Sequence, residues 1–102
     1  MMHMVSYTLE PDQVAENERL VKAVFEALRQ ERPAGLRYAT FRKDDGLGFV
    51  HIVAHAEADG RNALTALPAF KAFAAGVKER CAVPPVRVEL TEIGSYGFFA
   101  AD

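Results

Sequence analysis

The sequence predicts an α+β fold of order β-α-β-β-α-β. Three observations carry that prediction. Two long stretches place apolar residues at helical spacing, each with a proline near its start. Four short runs alternate or hold apolar residues at strand period. Between the second and third of these runs, Asp45-Gly46 supplies a two-residue hairpin signal.

The first run, "MHMVSYTL" (2–9), alternates Val5, Tyr7 and Leu9 with Met4, Ser6 and Thr8, as a half-buried strand does. Glu10-Pro11-Asp12 then opens a helix, because proline is tolerated in a first turn and acids suit the positive end of the helix dipole. Val14, Val21, Val24, Phe25 and Leu28 form its apolar stripe. Glu16, Arg19, Lys22, Glu26 and Arg29 make the solvated face, and Pro33 and Gly35 end the helix. "LRYATFR" (36–42) is the second strand, and "KDDGLG" is the turn that sends "GFVHIVAHA" back as the third. Asp44 and Asp45 beside the hairpin glycine are turn residues rather than an acid pair.

After a turn at "EADGRN", a helix starts at "ALTAL" and is interrupted or restarted by Pro68. It continues through "PAFKAFAAGVKERC", with Leu67, Phe70, Phe73, Ala74, Val77 and Cys81 as its stripe, and "VPP" terminates it. "VRVELTEI" (86–93) is the last strand, followed by a tail with Tyr96, Phe98 and Phe99. Short connections and right-handed crossovers turn this order into a four-stranded antiparallel sheet with both helices on one face, the ferredoxin-like arrangement.

A chain of 102 residues with 50% hydrophobic and 25% charged residues is a single soluble globular domain. The net charge of -2, with basic residues scattered along the chain, argues against nucleic acid as a partner. No apolar run approaches the ~20 residues of a membrane span, and the N-terminus has no signal-peptide pattern. The lone Cys81 rules out an intrachain disulfide and suits a reducing cytoplasm as an inert thiol. There is no Cys/His metal framework and no glycine-rich nucleotide loop, so any chemistry is expected to need no cofactor that such motifs would hold.

His51 and His55 pose the chemical question. On a strand their Cα atoms stand ~13 Å apart at ~3.3 Å per residue, too far to chelate one ion together. With Phe49 and Val53 they share one strand face, apolar with a few polar groups, as ligand pockets are. Either histidine could accept a proton from a phenol near neutral pH. Tyr7 and Tyr38 could orient a substrate oxygen, and Phe41 or Phe70 could stack on a ring. Both histidines also suit an inert role as hydrogen-bonded groups of the core or of a subunit interface, His55 less so because it stands nearer the strand end and solvent. His3 reads as a surface residue, and Arg87 with Glu89 as an ion pair. The strands are apolar on both faces while the helices cover only one, so a second copy is expected on the open face, forming a homodimer.

"YTLEPDQ", "GLRYATFRKDDGLGFVHIVAHAE" and above all "LTALPAFKAF" resemble the antibiotic biosynthesis monooxygenase domain of the dimeric α+β barrel proteins, over nearly the whole chain. The resemblance implies a homodimer. It also implies, as in some family members, oxidation of quinols or polycyclic aromatics by dioxygen without metal or flavin. Other members degrade haem, and two departures weaken that reading. The histidine that commonly precedes the proline-phenylalanine element is absent from Ala63–Leu67, and the chain has no tryptophan, which some relatives carry about where His55 falls. Two functions follow as expectations: a cofactor-independent monooxygenase of small aromatic or quinol-like molecules, with His55 helped by His51 as proton acceptor, or a non-catalytic homodimer that binds a small ligand or stabilises a partner.

Overall fold

The computed structural model describes residues 1–55 and 63–98. β1 (Met2–Leu9) leads through one 3-10 turn (Pro11–Gln13) into α1 (Val14–Glu31). β2 (Leu36–Arg42) and β3 (Gly48–His55) follow, then three short helices, α2 (Ala63–Ala66), α3 (Pro68–Ala75) and α4 (Val77–Arg80), and finally β4 (Cys81–Leu90). The sheet order is β2-β3-β1-β4, and every neighbouring pair is antiparallel. This is the expected ferredoxin-like architecture. The turn read at "EADGRN" and Phe99 lie outside the described residues.

The end of the chain departs from expectation. The second helical region is broken at Leu67, where Pro68 restarts it, and again at Gly76. Cys81 does not close a helical stripe; it begins β4, five residues ahead of the expected Val86, and the strand stops at Leu90 rather than residue 93. Pro84 and Pro85 therefore sit inside a strand instead of ending a helix. They are tolerated for two reasons: on an edge strand one of the two nitrogens faces the free margin, and the other falls where the β1–β4 register slips, between Val83 and Val86. The β1–β4 register slips between Ser6 and Thr8 and again between Thr8 and Leu9.

The hairpin forms as its sequence implies. Gly46 takes φ 78°, and the Asp45 carboxylate accepts the N–H groups of Leu47 and Gly48, both at 2.9 Å. α1 ends on Arg32, not on a glycine. Arg32 adopts the left-handed conformation at φ 47° and donates its N–H to the Leu28 carbonyl at 2.8 Å. A side chain there is strained by its Cβ, so Arg32→Gly is expected to leave stability unchanged or raise it by up to about 1 kcal/mol. Urea unfolding measures this directly, and a clear loss would show that the arginine side chain matters more than its backbone strain.

Alternation sorts the sheet residues. Tyr7, Leu9, Phe49 and Val53 face the helices and join Val21, Val24, Leu64, Leu67 and Phe73 in the core. Met4, Ile52, Ala39 and Val88, paired across the four strands, face away from the helices, and the tail residues Ile93, Tyr96 and Phe98 border a pocket with Met2 and Ile52 on that side.

Candidate functional site

Period two on β1 and β3 aims Tyr7 and His51 under the helices, and the same rule aims Tyr38 and Thr40 there from β2. They meet at the His51 ring, which is only 4% exposed. The Tyr7 hydroxyl lies 2.7 Å from His51 Nε2. On the other side of the ring, the Tyr38 hydroxyl lies 2.6 Å and the Thr40 hydroxyl 3.0 Å from Nδ1. Phe73 from α3 packs beside the imidazole, its ring centre 5.3 Å away. Phe25 of α1 stacks on Tyr38 at 5.0 Å, and Phe49 stacks on Tyr7 at 5.9 Å.

The hydrogen bonds continue behind Tyr7. Asn17 of α1, fully buried, donates from Nδ2 to the Tyr7 hydroxyl at 2.9 Å. Its Oδ1 accepts from Arg80 Nε at 3.0 Å. The buried Arg80 guanidinium also donates to the Phe73 carbonyl at 2.8 Å and lies 5.3 Å from the Phe73 ring centre. Gly76 makes room for it, since a Cβ there would stand 3.1 Å from the guanidinium. No carboxylate among the described residues pairs with Arg80.

In front of His51 lies an apolar cavity of about 180 Å³, bounded by Tyr7, Tyr38, His51, Val53, Phe70 and Phe73 among others. Burial pulls the His51 pKa down to about 4, so the ring is neutral at pH 7. Burial likewise pushes Tyr38 up to about 12 and Tyr7 well above its ordinary value, so both keep their hydroxyl protons. The site is thus a mostly apolar pocket with hydroxyl groups and the neutral His51 imidazole at its back.

The sequence-read residues divide cleanly. His51, Tyr7, Tyr38 and Phe70 reach the cavity, and Phe49 backs it through Tyr7. His55 is buried on the same sheet face but does not bound this cavity, and its Nδ1 has no hydrogen-bond partner among the described residues. Phe41 cannot stack on a ligand here: three residues from Tyr38 on one strand, it points through the opposite face and is 48% exposed. His3 is half-buried and bounds the cavity rather than standing on the surface. Arg87 and Glu89 do pair, at 3.0 Å. Asn17 and Arg80 escaped the sequence reading, although a polar residue at 17 breaks the 14, 21, 24, 28 stripe at a position that helical spacing buries.

No protein-family model and no curated protein matches the sequence. Solved structures do. Rv0793 from Mycobacterium tuberculosis superposes with a TM-score of 0.75 at 18% identity, over 92% of this chain and 95% of that one. The chain has the fold of the antibiotic biosynthesis monooxygenase proteins. A protein described by that family name aligns at TM-score 0.72 and 17% identity, over 92% of this chain and 100% of its own. A mutant of SnoaB, a cofactor-independent oxygenase from Streptomyces nogalater, aligns at TM-score 0.68 and 17% identity, over 94% and 95%.

Proposed function

We propose that the protein is a homodimeric monooxygenase that oxidises small aromatic or quinol-like molecules without a cofactor. The observation that carries the proposal is the cavity, mostly apolar, with His51, Tyr7 and Tyr38 meeting at its back. Its volume is close to the ~150 Å³ that accommodates a benzene ring, so it suits a ligand of one or two rings. SnoaB, a cofactor-independent oxygenase, has the same fold, which agrees with this reading. Losing the hydroxyl proton makes such a ring electron-rich enough to reduce dioxygen. One oxygen atom then bonds to the ring, the other leaves as water, and a phenol becomes a quinone. The proton acceptor is His51 rather than His55, because His51 borders the cavity beside Tyr7 and Tyr38 and His55 does not.

The test follows oxygen uptake by metal-free protein with a panel of quinols and naphthols, comparing wild type with His51→Gln. Removing a positioned base is expected to cut turnover by ~10²-fold or more. Turnover that survives the substitution undiminished would overturn the assignment. One observation favours a second reading, in which the cavity binds a small ligand without chemistry: both His51 nitrogens already have protein partners. Binding without oxygen uptake across the panel would select that reading.

The homodimer rests on the open sheet face. Val83, Val86, Val88 and Phe41 are 41–56% exposed there, beside half-buried Met2, Met4, Val50 and Ile52. The single thiol, Cys81, fits a reducing cytoplasm. Among the described residues, no helix is long and apolar enough to cross a membrane.

A further inference from the structure

We propose that Arg80, acting through Asn17 and Tyr7, locks His51 as its Nδ1–H tautomer, so that Tyr38 offers its hydroxyl proton to the cavity and selects aromatic ligands bearing an acceptor oxygen. This deepens the reading of the same cavity as an aromatic-binding site, and it is testable without turnover.

The inference comes from counting donors. A guanidinium can only donate. Arg80 Nε therefore requires the oxygen of Asn17 to face it at 3.0 Å, which leaves the Asn17 amide N–H₂ facing Tyr7 at 2.9 Å. The Tyr7 oxygen accepts that bond and still has one proton to place. Of its two polar neighbours, the Asn17 nitrogen has no lone pair to offer, so the proton goes to His51 Nε2 at 2.7 Å. A neutral imidazole that accepts at Nε2 must carry its own proton on Nδ1. That proton is shared between the Tyr38 and Thr40 oxygens, at 2.6 and 3.0 Å. Tyr38, having accepted, keeps its O–H as a donor; the Thr40 hydroxyl beside it can take that bond while the cavity is empty, and an acceptor oxygen in the cavity, which Tyr38 borders and Thr40 does not, competes for it.

Four hydrogen bonds thus run in one direction, from a cation that cannot reverse them. The residues at the two ends of the chain of bonds, Arg80 and Tyr38, are brought together only by the fold. Arg80 is a positioning residue, for it touches neither the cavity nor His51. The direction also fits the proposed chemistry: Nε2, the lone pair of the ring, is reached from the cavity through the Tyr7 hydroxyl.

Asn17→Asp should reverse the direction with almost no change of shape. A carboxylate at 17 still accepts from Arg80 but cannot donate, so Tyr7 would turn its hydroxyl proton toward residue 17. His51 would then donate from Nε2 to Tyr7 and accept from Tyr38 at Nδ1. Nitrogen-15 spectra of histidine-labelled, ligand-free protein distinguish the two tautomers. Wild type is expected to show Nδ1–H at His51, Asn17→Asp to show Nε2–H, and Arg80→Gln, which can donate or accept, to show a mixture. Calorimetry with 1-tetralone against tetralin reads the consequence. Wild type should prefer the ketone by about tenfold, the worth of one hydrogen bond, and Asn17→Asp should lose the preference.

An Nε2–H signal in wild type overturns the proposal, as does an unchanged tautomer in a folded Asn17→Asp protein. If Asn17→Asp fails to fold, the wild-type spectrum and Arg80→Gln still decide it. A correct tautomer in a protein that oxidises nothing would leave this inference standing and remove only the monooxygenase reading.

Discussion

Stability against urea is expected to fall by on the order of 3 kcal/mol between pH 6.5 and pH 4, and His51→Gln should remove most of that fall. In the folded chain the imidazole has a pKa of about 4, lowered by burial from 6.5. Unfolding returns it to water, where it binds a proton at any pH below about 6.5. Across this window the unfolded state holds one more proton than the folded state, and stability changes by ~1.4 kcal/mol per pH unit. The contribution is fully present above pH 6.5 and is lost as pH drops toward the folded value. His3 is also lowered, chiefly by burial, so some slope should remain in the variant. The comparison must be made at one protein concentration, since a dimer's stability depends on it. Equal slopes for the two proteins would mean that His51 charges without penalty, and that its pocket is wetter than its 4% exposure implies.

Ile52→Glu is expected to convert a dimer into a folded monomer. Ile52 lies near the middle of the open face, opposite Met4 on β1 and Ala39 on β2. Four strands spaced ~4.8 Å apart and ~8 residues long make a face of roughly 500 Å², so two copies bring together about 1,000 Å². That area is near the lower limit for a specific interface, which leaves little surplus to bury an unpaired carboxylate costing several kcal/mol. Sedimentation equilibrium at low micromolar concentration should give twice the chain mass for wild type and the single mass for Ile52→Glu. A wild-type monomer, well folded, would refute the dimer. A dimeric Ile52→Glu protein would place the interface elsewhere.

The inward face of the site was legible because strand alternation is a strict rule. Tyr7, His51 and Tyr38 could be assigned to one pocket from parity alone, and parity should also have removed Phe41. His55 shares the parity of His51, yet it lies two full repeats further along β3 and past the cavity. How far a pocket extends along a strand depends on where the helices cross above it, which sequence periodicity does not encode. Asn17 and Arg80 were hidden for another reason. Each looks like surface in its own segment, "AENER" and "VKERC", and only a contact across 63 positions satisfies both. Their burial follows from that mutual satisfaction, which no local pattern displays. The early start of β4 was missed because "CAV" suits a helix or a strand equally, and a proline pair reads as a stop unless the strand is known to be an edge.

Those prolines bear on how the molecule avoids uncontrolled polymerisation. Fibrils lengthen by recruiting extended segments along an open margin of a sheet, each newcomer pairing with a row of free amides and carbonyls. On β4 that row is interrupted at Pro84 and Pro85, and Arg87 and Glu89 set hydrated charges a little further along. A foreign strand arriving there finds a missing amide donor, a register slip and two solvated side chains. Sideways growth, which has no natural end, is therefore discouraged. Stacking of one sheet on another remains open, and in the proposed dimer it would use the apolar sheet face of both copies and so end at two.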